Sequence, residues 1–153
     1  AFKLKEDIRL FTDESMTTEL LSIKARTILD FSAAYDVVDT ATGHKVGALK
    51  RKGWKSMFRD QWIIMDVYDN EIGSIQEENA FLAFLRRFVT NLIPQSYLVE
   101  IGGSSVAEFK QNFNPFVTKL TLDFSHDTQH RFDRRLGIAA GVLLCAIEGK
   151  QEG

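Results

Sequence analysis

The chain has 153 residues, with 19 basic and 21 acidic side chains, a net charge of −2 and 44 % hydrophobic residues. That size and apolar content suffice for one packed domain spanning residues 1–153, and the near-neutral charge excludes a general nucleic-acid binder, which needs a strongly basic face. A single cysteine, Cys145, excludes an intramolecular disulfide and fits a reducing, cytoplasmic setting.

The opening residues AFKLKEDIRLFTDESM carry a charge at every second or third position and lack the apolar core of an export signal. Strands are predicted at Lys3 to Leu10 and Leu21 to Ile28. Three later segments then share one pattern: YDVVDTATGHKVGAL, IIMDVYDNEIGSI and YLVEIGGSSVAEF. In each, a β-rich run ends at an acid (Asp39, Asp66, Glu100) and a turn of Gly, Asn, Asp or Ser residues follows. The second run opens with a β-branched residue (Val46, Ile72, Val106), then a small one (Gly47, Gly73, Ala107). Three antiparallel hairpins are the natural reading.

Between the first two hairpins, Trp54 to Phe58 reads as a further strand. Between the second and third, NAFLAFLRRFVTNLIP reads as an amphipathic helix: Asn79 is a good N-cap, Phe81, Leu85, Phe88 and Leu92 share a face, and Pro94 stops it. A strand follows at Val117 to Phe124, where Leu120, Leu122 and Phe124 alternate with Lys119, Thr121 and Asp123.

The run Leu136 to Ile147 is twelve residues of uninterrupted apolar or glycine character. At a rise of about 1.5 Å per residue it covers about 18 Å, short of the roughly 30 Å hydrocarbon core, so a transmembrane span is excluded. It reads as a helix apolar on every side, capped by Ser125 or Asp127 and ended by Gly149. Such a helix needs protein all round it, and a meander of many strands either exposes its edges or closes on itself. The sequence therefore predicts a closed antiparallel β-barrel, α+β in class but mostly β, enclosing the central C-terminal helix.

The unit YDVV…KVGALKRKGWKSMFRDQWIIMD, its second copy MDVYDNEIGSI and the C-terminal DRRLGIAAGVLLCAIE resemble the LURP-one-related proteins. That group lies within the tubby C-terminal-like superfamily, which also holds the phospholipid scramblases. The resemblance implies a twelve-stranded closed barrel threaded by the helix, of which the sequence itself supplies about ten strands. It also implies a possible ligand class, because tubby domains bind phosphoinositide headgroups through surface basic residues. Fold alone does not carry that activity over.

The stretch KRKGWKSMFR is where such a ligand would bind. Lys50, Arg51, Lys52, Lys55 and Arg59 form an anion or lipid site at a strand end, with Trp54 at headgroup level. The plainer alternative places Trp54, Met57 and Phe58 in the core and leaves the charges solvated. Arg86 and Arg87 beside Phe84 and Phe88 offer a membrane-surface helix or, more simply, a cover for the barrel mouth. His126, His130 and Asp133, with His44, contain too few ligands at metal spacing, and no cofactor motif is present. Ser125 and His126 are neighbours on one strand and so face opposite ways.

The expected function is therefore a non-enzymatic binding or scaffold module. Its partner is an anionic phospholipid or phosphorylated ligand, with cytoplasmic location and peripheral membrane contact. The alternatives are a protein-interaction module using the rim loops and an enzyme with a site at the barrel mouth.

Overall fold

The computed structural model describes residues 7–26, 33–52, 61–78, 95–112, 116–117 and 119–148. Nine strands follow one another: β1 (Asp7–Phe11), β2 (Glu19–Ala25), β3 (Ala34–Asp39), β4 (Lys45–Arg51), β5 (Gln61–Met65), β6 (Glu71–Glu77), β7 (Ser96–Ile101), β8 (Ser104–Asn112) and β9 (Lys119–Asp123). Each pairs antiparallel with its sequence neighbours, so the order across the sheet is the order in the chain. The three predicted hairpins are β3–β4, β5–β6 and β7–β8. The predicted strand Trp54 to Phe58 and the predicted helix from Asn79 lie outside the described residues.

Alternation sends Ile23, Val37, Leu49, Ile64, Ile75, Val99 and Phe109 to one face, where they are buried in a single apolar cluster with the C-terminal helix. Ala48, Ile63 and Met65 form a smaller buried cluster on the other face. The helix touches β2, β3 and β4 on one flank and β9 on the other, so the sheet must curl round it.

Of the four register shifts in the sheet, the three in these hairpins explain the repeated sequence pattern. Val37 pairs with Gly47 but Val38 with Lys45, Ile64 with Gly73 but Met65 with Glu71, and Val99 with Ala107 but Glu100 with Ser105. The residue skipped each time is the β-branched one, Val46, Ile72 or Val106. All three pack on the main core, which places two consecutive residues on the inner face. The second must then be small: a Cβ at Gly47 would lie 2.5 Å from the Met65 carbonyl oxygen and 2.9 Å from Leu136 Cδ1. The repeated acids hold the first two turns. Asp39 Oδ1 accepts from the Ala41 N–H at 2.9 Å, and Asp66 Oδ1 from Tyr68 at 2.8 Å and Asn70 at 2.9 Å. The third turn instead uses Gly102 and Gly103 at φ 58° and 78°, the positive pair that a tight hairpin requires.

The C-terminal helix α1 spans Arg134–Leu143 and passes into a π-helical turn, Leu144–Glu148. Its N-cap is Asp133, whose carboxylate accepts from the Arg135 N–H at 2.9 Å, rather than Ser125 or Asp127. Asp127 is used one step earlier. Its buried carboxylate accepts from the Arg131 and Phe132 N–H groups at 2.8 and 2.9 Å and from Arg134 Nη1 at 2.9 Å, fixing the loop that delivers the helix.

The described residues do not make the closed twelve-stranded barrel expected from the sequence. The described residues make one open nine-stranded sheet, with β1 and β9 at its two ends. Leu136, Ala139, Ala140 and Leu143 are buried against the sheet, but Ile138 on the opposite side is 47 % exposed. The remaining apolar side faces an open groove rather than a wall.

Candidate functional site

β4 carries the described part of the basic segment. Residues along a strand alternate between faces, and Gly47 and Leu49 point inward, so Arg51 takes the inner face and Lys50 and Lys52 the outer. In register, Lys50 lies between Ala34 and Ile63, while Arg51 stands opposite Trp62. Lys52 continues the ladder, donating its N–H to the Gln61 carbonyl at 2.9 Å. The strand thus separates Arg51 from the two lysines it was grouped with. Trp54, Lys55 and Arg59 lie outside the described residues. Alternation along β4, applied to the sequence, would have predicted the split.

Lys50 and Lys52 differ from the cations around them. Arg9 pairs with Asp7 and Glu19, Lys110 with Glu108, Arg134 with Asp127, and Arg135 with Asp39 and Asp133. On the outer face Arg26 and Lys45 share Asp36 and Asp69, at 2.5 Å from Arg26 Nη2 to each carboxylate and at 3.0 and 2.8 Å from Lys45 Nζ. Among the described residues neither Lys50 nor Lys52 has a carboxylate partner, and the same holds for Lys24, Lys119 and Arg131 at separate positions. Two residues apart on one face, their Cα atoms are about 7 Å from each other. The cross-strand neighbours Ala34 and Ile63 supply no counter-charge.

The Arg26–Asp36–Lys45–Asp69 network locks the β5–β6 turn onto β2, β3 and β4, with Asp69 in the left-handed region at φ 66°. The Arg26 and Lys45 donors hold the Asp69 carboxyl down at about 2. A carboxylate whose folded pKa is depressed stabilises the fold above the unfolded value near 3.9 and loses that contribution as the pH falls toward the folded one. The melting temperature is therefore expected to fall between about pH 4 and pH 2. Asp69→Asn should flatten this dependence while lowering the melting temperature at pH 7. Parallel slopes for the two proteins in melts at pH 5, 4, 3 and 2.5 would contradict it.

The His-rich tract serves the helix start. His130, in the left-handed region at φ 51°, places Nδ1 3.3 Å from Arg134 Nη2, and the Arg134 guanidinium lies 4.1 Å from the Phe124 ring centroid. Among the described residues, no group of three or more His, Cys, Asp or Glu is placed to hold a metal ion. The sequence did not signal a second feature, an apolar groove between α1 and β9. It has a volume of about 560 Å³ and is lined by Phe109, Leu120, Leu122, Ile138, Gly141, Val142, Cys145 and Ala146. Burial pushes the Cys145 thiol up. Among the described residues no helix is long and apolar enough to cross a membrane.

The described residues form a curled antiparallel meander packed on a C-terminal helix, with Lys50 and Lys52 on its outer face and an apolar groove between α1 and β9, a mostly-β fold. The chain belongs to the LURP-one-related family, whose model matches residues 1–145, and that family is associated with the tubby-like superfamily. No curated protein and no solved structure matches the chain.

Proposed function

We propose that the chain is a non-catalytic binding module that holds an anionic headgroup, of a phospholipid or a phosphorylated small molecule, at the outer end of β4. The reading is carried by the Lys50 and Lys52 pair, which shares one face without a carboxylate partner among the described residues, while Arg9, Arg26, Lys45, Lys110, Arg134 and Arg135 are all paired with one. A phosphate between two ammonium groups would supply the missing counter-charge. Each lysine near an anionic surface contributes about 1 kcal/mol, so the Lys50→Gln/Lys52→Gln protein is expected to bind roughly 30-fold more weakly.

The test is co-sedimentation with neutral, phosphatidylserine and phosphoinositide-containing vesicles at low and physiological salt, alongside Arg51→Gln on the other face. Selective binding that the double variant loses and Arg51→Gln largely keeps is the expected result. Equal binding by the double variant and the wild type would sink the proposal. Competition by a soluble phosphorylated headgroup separates the two ligand sources.

A second reading, a protein-interaction module, is favoured by apolar residues exposed at the opposite rim. Tyr68, at 83 % exposure, and Val67 project from the β5–β6 turn, and Met16 and Leu20 lie on or beside the β1–β2 turn at the same end. A partner retained by the wild type and released by Tyr68→Ser would support it, whereas unchanged retention would count against that rim.

A further inference from the structure

We infer that the groove between α1 and β9 takes a single hydrocarbon chain of a membrane lipid. Its volume of about 560 Å³ lies within the span of small-molecule sites, and every side chain that lines it is apolar apart from the Cys145 thiol. A polar ligand entering it would give up its hydration without a strong hydrogen bond in return, whereas a hydrocarbon loses nothing. The helical wall runs from Ile138 to Ala146, about 12 Å along the axis, a length that suits an extended chain.

The placement of the groove identifies the source of the chain. Its Leu120 end lies three residues from Val117, and the β8–β9 connection there holds Phe116 at 92 % and Val117 at 57 % exposure. β4 and β8 run in the same direction, so these exposed apolar residues share one end of the sheet with Lys50 and Lys52. Apolar side chains at a tip with uncompensated lysines at the same end match an anionic bilayer surface, whose headgroups attract the cations while Phe116 enters the acyl boundary. The bilayer part of the inference rests on the lipid form of the proposed function; the affinity of the groove for hydrocarbon does not.

The experiment therefore reads the groove without a bilayer. The full chain is titrated with monomeric cis-parinaric acid below its aggregation limit, and its fluorescence is followed for the wild type, Val142→Phe and Lys50→Gln/Lys52→Gln. Maleimide labelling of Cys145 with and without the probe is followed in parallel. The expected result is saturable binding by the wild type and the lysine variant, with Cys145 labelling slowed by the probe. Val142→Phe, its fold checked by melting, should bind about tenfold more weakly, the effect of excluding roughly two methylenes from apolar contact. If Val142→Phe fails to fold, protection of the wild-type thiol decides alone. No saturable binding by the wild type, or equal binding by a folded Val142→Phe, overturns the inference. So does a thiol already slow to label without probe uptake, since another stretch of the chain or a second copy would then cover the groove. No vesicle binding by the wild type, or equal vesicle binding by the lysine variant, with probe binding intact would instead remove the headgroup proposal and leave the groove standing.

Discussion

Gly73→Ala is expected to lower the melting temperature by roughly 6–12 °C, the effect of about 3 kcal/mol of overpacking in a chain of this size. A Cβ at Gly73 would lie 2.1 Å from the Glu100 carbonyl oxygen and 2.8 Å from Ile101 Cγ1. The first obstacle is backbone, so relief requires β6 and β7 to move apart where their ladder pairs Gly73 with Ile101. Gly141→Ala is the contrast. Its Cβ would meet the edge of the Phe109 ring at 3.3 Å, a side chain that can shift, while alanine gains about 1 kcal/mol of helix propensity. Gly141→Ala should therefore melt within a few degrees of the wild type. A Gly73→Ala protein that did the same would show that β6 and β7 do not approach as closely as described.

Removing residues 134–153 is expected to have a larger effect: no cooperative melting transition and strong binding of an apolar dye. The helix is the second layer of the core, because Leu136, Ala139, Ala140, Leu143 and Leu144 are buried in the same cluster as Ile23, Val37, Leu49, Trp62 and Phe109. Truncating Leu143 alone to alanine costs about 2–5 kcal/mol, a large part of a typical stability of 5–15 kcal/mol, and deletion exposes the whole inner face at once. A soluble truncated chain that melts cooperatively would mean that the sheet sustains a core without the helix.

The hairpins were legible because strand alternation and a repeated unit both marked them, and their ends in the structure fall within a few residues of the reading. The repeat was recognised as a pattern, but its meaning as a bulge was not. Register depends on which residue of the facing strand is skipped, and one strand's sequence does not contain that. The N-cap was misplaced because Asp127 and Asp133 are equally good caps on paper, and only the fold assigns one to the loop and the other to the helix. The error in closure has a different origin. An apolar helix surface reports that water is disfavoured around it, not that strands surround it, and Ile138 shows that one side can remain partly exposed. For the basic segment the residue types were read and their faces were not, although alternation already separates Lys50 and Lys52 from Arg51.

The sequential order of the sheet bears on how the chain reaches this structure. Every described strand pairs with the one made just before it, so sheet formation needs only closures between sequence neighbours, the longest the 18 residues between β6 and β7, and can advance hairpin by hairpin as residues become available. The helix is different. It follows all nine strands yet packs on β2, β3 and β4, joining the most distant parts of the described chain. During synthesis the inner face of the growing sheet therefore stays bare until residues 134–148 emerge, an interval in which its aromatic and aliphatic side chains are open to chaperones or to other nascent chains.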